Sequence, residues 1–175
     1  IAREVCDEFT YKDGKKRYVA GSVGPTNKMA SKYHNEELAL RNINFDELKE
    51  AYIEQINALI DGGIDIVLIE TIIDSLNARA AIIAANEVYN EKNKVLPIMI
   101  SATIDDKFGR ILSGQDIISF ANSIRDNNVI SIGLNCSFGA KGLIPFIKEL
   151  SDTQDLFISV YPNTGLPNKL GFYED

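Results

Sequence analysis

Four side chains in this sequence could do chemistry together, though they lie far apart along the chain: Ser22, Glu70, Cys136 and Asn163. Cys136 closes the run Gly133-Leu134-Asn135-Cys136, at the end of a hydrophobic strand pattern that starts near Val129. Glu70 ends Ile66-Val67-Leu68-Ile69-Glu70, where a carboxylate emerging from an apolar strand needs a partner because an unpaired buried charge is costly. That partner is either a substrate ammonium group or a Lys or Arg from a neighbouring loop. A thiol at such a position has three readings. It is a buried structural cysteine, the commonest fate of the residue. It is a nucleophile, which needs a base such as His, and the chain has one His. Or it is a zinc ligand, which needs two or three further Cys, His or carboxylate ligands.

The elements that must position these residues follow from the hydrophobic pattern. Residues 1–9 read as the tail of a helix with Ile1, Val5 and Phe9 on one face. Strands are expected over 17–23, 64–70, 96–103, 129–135 and 156–161. Helices are expected over 45–61, 74–90, 113–126 and 141–151. Asn44 and Glu47 have the spacing of a capping box before the first of these, and Gly62-Gly63 ends it. Ser113 with Asp116 has the spacing to open the third. Residues 21–43 read as a long loop, either a cover over a site or a disordered surface segment. His34 within it is assigned no role.

Strands alternating with helices imply a parallel sheet. A dinucleotide-binding sheet should show G-x-G-x-x-G after an early strand, and Gly21-Ser22-Val23-Gly24-Pro25 does not. The remaining candidate is an α/β (β/α)8 TIM barrel, present as an incomplete barrel of about five βα units. A full barrel needs eight strands and typically about 250 residues, so the 175 residues read as its middle part. In a barrel every strand tip faces one mouth, where catalysis takes place. Any single polar residue at a tip marks only where polar residues resume. Five tips that include a Glu and a Cys point to a site.

Composition narrows the function. A net charge of −7 and a pI near 4.8 argue against nucleic-acid binding, which needs a basic face. No apolar run approaches a membrane span. Two cysteines far apart make no disulfide framework, which suits a reducing cytoplasm.

Several blocks carry a resemblance: Val19-Ala20-Gly21-Ser22-Val23-Gly24-Pro25-Thr26-Asn27-Lys28, Arg41-Asn42-Ile43-Asn44-Phe45-Asp46-Glu47-Leu48, Leu68-Ile69-Glu70-Thr71-Ile72 with Asp74-Ser75-Leu76-Asn77-Ala78, and Gly109-Arg110-Ile111-Leu112-Ser113-Gly114-Gln115. Gly133-Leu134-Asn135-Cys136 and Tyr161-Pro162-Asn163-Thr164-Gly165-Leu166-Pro167-Asn168 complete it. In that order, over nearly the whole chain, they resemble the homocysteine-binding domain of cobalamin-dependent methionine synthases.

The resemblance implies a zinc-binding barrel in which Cys136 is one of three cysteine ligands. The other two form a Cys-Cys pair on the eighth strand, which these residues do not contain. It implies that Glu70 holds the substrate amino group and Asn163 the carboxylate, with Ser22 also lining the substrate site. Homocysteine would be the substrate, methylcobalamin the methyl donor, and cobalamin and folate would be held by other domains of the same full-length protein. The alternatives are a non-catalytic binding or assembly segment on the same scaffold, and a barrel lyase using Glu70 with a lysine. The lyase predicts a strand-tip Lys, and none is evident.

Overall fold

Five parallel strands form one sheet in the order β1-β4-β5-β6-β7. They are β1 (Ala20–Val23), β4 (Ile66–Ile72), β5 (Ile98–Ala102), β6 (Val129–Cys136) and β7 (Phe157–Pro162). The computed structural model describes residues 1–35, 40–105 and 108–164. Helices α1 (Ala2–Asp13), α2 (Phe45–Asp61), α3 (Ser75–Lys92), α4 (Ile117–Ser123) and α5 (Ala140–Thr153) alternate with these strands. The five expected strands are all present and all parallel, with neighbours in chain order. A short antiparallel hairpin, β2 (Tyr33–Asn35) with β3 (Leu40–Arg41), lies between β1 and α2.

Local chemistry accounts for most boundaries. Asn44 Oδ1 accepts from the Glu47 N–H at 2.8 Å while the Glu47 carboxylate accepts back from the Asn44 N–H, the reciprocal box expected from the sequence. Leu48, Tyr52, Ile56 and Ile60 then bury one stripe of α2. The helix after β5 is shorter than its pattern suggests. Asp116 caps it by accepting from the Ser119 N–H at 2.7 Å. Ser113 instead donates to Gln115, which donates to the Ser75 hydroxyl at 2.8 Å and ties this loop to the start of α3.

The loop after β1 is neither a free cover nor a free surface segment in its first part. The fully buried Asp74, which caps α3, accepts from both the backbone N–H and the hydroxyl of Ser31. Asn77 accepts from the Ala30 N–H at 2.9 Å and donates to the Lys28 carbonyl at 2.8 Å. Residues 28–31 are thereby laid against the N-terminal end of α3. The side chain of His34 and residues 165–168 of the Pro-Asn block lie outside the described residues.

On β6, Gly133 pairs with Ser159 of β7, and the partner backbone leaves no room for a side chain. A Cβ on Gly133 would stand 1.9 Å from the Ser159 carbonyl oxygen. Backbone cannot yield as a flexible side chain can. Gly133→Ala is therefore expected to cost about 3 kcal/mol, the upper end for overpacking. That corresponds to a fall in melting temperature of roughly 6–12 °C. An unchanged melting curve would show that the two strands part without cost.

Candidate functional site

Register alone puts most of the site on one face. Side chains alternate along a strand, and Ser22 pairs with Leu68, Leu68 with Met99, Ser101 with Gly133, and Asn135 with Tyr161. Stepping two residues at a time from these pairs brings Ser22, Glu70, Ser101, Asn135 and Tyr161 to the same face, all near the C-terminal ends of their strands. The opposite face carries the fully buried Val23, Val67, Ile69 and Ile100. This is the arrangement expected from strand tips in a barrel.

Glu70 is the centre of the first cluster. The Ser22 hydroxyl donates to its Oε1 in a short hydrogen bond, and the Tyr161 hydroxyl donates to its Oε2 at 3.0 Å. Ser22 is on β1 and Tyr161 on β7, the two outer strands of the sheet. On a flat sheet β4 and β7 would be three spacings, roughly 14 Å, apart. Two side chains meeting across that interval fit a sheet curled around its mouth. The carboxylate that the sequence marked as needing a partner thus has two hydroxyl donors here.

Asn135 is the centre of the second cluster. Its Oδ1 accepts from the Thr71 N–H at 3.0 Å and from the Ser101 hydroxyl at 2.7 Å. Its Nδ2 donates to Thr71 Oγ1 at 2.9 Å and to the Cys136 sulfur at 3.1 Å. Strict alternation would send Cys136 to the other face from Asn135. The backbone breaks the alternation: Cys136 has φ 56° and Ser137 φ 63°, both left-handed. A matching break occurs on β4. Ile69 pairs with Ile100 but Ile72 with Ala102, so one extra residue is inserted, and Thr71 there has φ 60°. Bulges of this kind re-aim side chains next to active sites, and a β-branched residue with positive φ is a real outlier.

Tyr161 links the clusters electrostatically. Burial pushes its hydroxyl up to about 12. A hydrogen bond with Ser101 opposes the rise, and negative charge at Glu70 and Cys136 adds to it. It therefore stays a neutral donor across physiological pH. Burial also pushes Tyr52 up to about 12. Both folded values lie above the ordinary value near 10, so the stability they contribute is complete below about pH 10 and lost as pH rises toward 12. Melting temperature is expected to fall across that window. A flat profile from pH 10 to 12 would contradict it.

Of the residues singled out from the sequence, Ser22 and Glu70 are bonded to each other, and Cys136 adjoins Asn135. Asn163 lies exposed just beyond β7 and makes no hydrogen bond to the other three among the described residues. Cys6 is a buried free thiol in α1. Sequence reading missed Tyr161, and it took Thr71 and Asn135 only as polar companions of Glu70 and Cys136 at the strand tips. The two-residue step from Glu70 through the paired strands was the signal that finds Tyr161, and it needs the register. Among the described residues no three His, Cys, Asp or Glu side chains gather to hold a metal.

Comparison with known proteins places these features in context. A family profile described as Homocysteine S-methyltransferase matches residues 1–175. Among solved structures, the homocysteine methyltransferase MmuM from Escherichia coli in its metallated form superposes with a TM-score of 0.73 at 21% identity, covering 94% of this chain and 55% of that one. Its apo form gives a TM-score of 0.69 at 20% identity, covering 92% and 55%. At this identity the likeness is one of fold. The chain spans about half the length of the solved structures it matches.

Proposed function

The chain belongs to the homocysteine S-methyltransferase family, and from that premise we propose that its strand-tip cluster binds homocysteine for methylation at sulfur. The observation that carries this reading is Glu70, held by donors from β1 and β7 at the face where Asn135 delivers Cys136. A carboxylate has about four acceptor positions. Two are taken by Ser22 and Tyr161, which leaves room for an ammonium group. Asn163, exposed beyond β7, would meet the substrate carboxylate, and Ser22 would line the amine side. Cys136 would lie at the sulfur end.

Zinc, when bound, supplies the charge that keeps a thiol deprotonated near neutral pH. A catalytic zinc needs three protein ligands, and among the described residues no three candidate ligands gather around Cys136. These residues therefore do not make a complete zinc site, and ligands from outside them would have to complete it. What the described residues do is narrower. Glu70 and Asn163 orient the amino acid, and Cys136 stands where its sulfur must come.

The finer assignment is to cobalamin-dependent methionine synthase, with methylcobalamin as donor, cobalamin and folate on other domains of the full-length protein, and a cytoplasmic location. The ordered sequence blocks support it, above all Gly109-Arg110-Ile111-Leu112-Ser113-Gly114-Gln115 and Gly133-Leu134-Asn135-Cys136. No helix among the described residues is long and apolar enough to cross a membrane.

Calorimetry on the full-length protein tests the reading. L-homocysteine should bind at least tenfold more tightly than L-homoserine, which differs only in carrying oxygen for sulfur. Equal affinity, or no binding of either, would overturn it.

A further inference from the structure

Asn135 touches no substrate group in the binding scheme above, yet its side chain makes four hydrogen bonds at the mouth. It is 1% exposed. A carboxamide has two acceptor lone pairs and two N–H donors, and all four are used. The partners are Thr71 twice, Ser101 and Cys136, which come from β4, β5 and β6. The backbone of Asn135 is held as well. The hydroxyls of Thr103 and Ser137 each donate to its carbonyl at 3.3 Å, and Ser137 Oγ accepts from the Ile104 N–H at 2.9 Å.

Two of the side chain's partners are the residues whose conformation most needs holding. Thr71 and Cys136 both have left-handed φ, and such residues persist only where the surroundings over-determine them. Thr71 is the residue after Glu70, so the direction of its backbone sets where the carboxylate emerges. Asn135 grips Thr71 at both its N–H and its hydroxyl, and with the same amide nitrogen it reaches the Cys136 sulfur. One buried group thus touches the end of the site that would take an amine and the end that would take a thiol.

We propose that Asn135 is a positioning residue that locks the Glu70–Thr71 bulge and the Cys136 sulfur into one rigid unit. This deepens the homocysteine reading and rests on it. Homocysteine carries its amine and its sulfur at a separation limited by two methylene groups. A site that engages both ends must keep its own two ends at a matching separation, and small misplacements lower productive binding steeply. A single amide spanning both supplies that constancy. Two independently mobile loops would not.

The test uses the full-length protein with Asn135→Ala, Asn135→Asp and Glu70→Gln, alone and combined. Asn135→Asp keeps an oxygen for the Thr71 N–H and the Ser101 hydroxyl but offers no N–H to sulfur. Amide hydrogen exchange at Thr71 is expected to quicken at least tenfold in Asn135→Ala and to stay near the parent rate in Asn135→Asp. The sheet amides of Ile100 and Ile132 should hold their rates in both, which separates a local release from general loosening. Homocysteine affinity should fall at least tenfold in Asn135→Ala and also in Asn135→Asp. Combining Asn135→Ala with Glu70→Gln should lose clearly less than the product of the two single losses, because an unlocked carboxylate has little left to give. Unchanged Thr71 exchange in Asn135→Ala, or strictly multiplicative losses, would overturn the proposal. If Asn135→Ala does not fold, parent-like homocysteine affinity in Asn135→Asp overturns it as well. A parent protein that fails to bind homocysteine sinks the substrate reading, and the Thr71 exchange rates still decide whether the lock exists.

Discussion

Glu70→Gln in the full-length protein is expected to weaken homocysteine binding by roughly ten- to a hundredfold while leaving the melting temperature nearly unchanged. The estimate rests on the worth of a charged hydrogen bond, about 1.5–3 kcal/mol. The fold should tolerate the change for a geometric reason. Gln keeps one oxygen for a hydroxyl donor, and the hydroxyls of Ser22 and Tyr161 can rotate to accept from its amide instead. What Gln cannot replace is the negative charge opposite an ammonium group. Calorimetry for the ligand, metal analysis and a melting curve on one preparation give the three readouts. If homocysteine and metal are lost equally, Glu70 acts on the site as a whole and not on the amine. If affinity is unchanged, Glu70 serves only to join β1, β4 and β7.

Cys136→Ala should have the larger effect, removing bound zinc and methyl transfer together. Zinc binding to a thiolate-rich site is worth about 10–16 kcal/mol. Divided among three or four ligands, one thiolate carries roughly 3–5 kcal/mol, a factor of about a hundred to several thousand in affinity. The same arithmetic bears on a polypeptide of these 175 residues alone. It contains a single strand-tip thiol, and the other cysteine is buried in α1. After dialysis such a polypeptide is expected to retain far less than one zinc per chain. One tightly held zinc per chain, with no ligand borrowed from a second copy, would show that Cys136 has partners of another kind.

The fold was readable because its signals are local and repeated. Apolar runs ending in polar residues marked all five parallel strands, and Asn44 with Glu47 marked the start of α2 to the residue. The error at α4 has a physical cause. Ser113 and Asp116 are both competent caps, and the choice between them was made by contacts with Ser75, some forty residues earlier. The docking of residues 28–31 was likewise decided at a distance, by Asp74 and Asn77.

The site was only half readable. Glu70 and Cys136 stood out because a carboxylate and a thiol are conspicuous at the ends of apolar strands. Tyr161 did not, since an aromatic residue in a strand needs no explanation. The left-handed backbone of Thr71 was invisible, because nothing in the sequence around a threonine announces it. The bond that holds it comes from Asn135, sixty-four residues later.

The left-handed residues at the strand tips, Thr71, Cys136 and Ser137, also bear on how far this protein can be stabilised. Strain of this kind is worth about 1–3 kcal/mol at each position. The sum is of the same order as the entire net stability of an ordinary domain, about 5–15 kcal/mol. Glycine adopts the same backbone freely, and where the strain lies toward the upper end of that range its extra disorder in the unfolded chain, about 1 kcal/mol, offsets only part of the relief. A sequence optimised for endurance alone would therefore carry glycine here. The side chains at these positions mark where robustness and chemistry pull in opposite directions, and a thermostabilised variant obtained by blind selection should accumulate its changes there first and lose its activity with them.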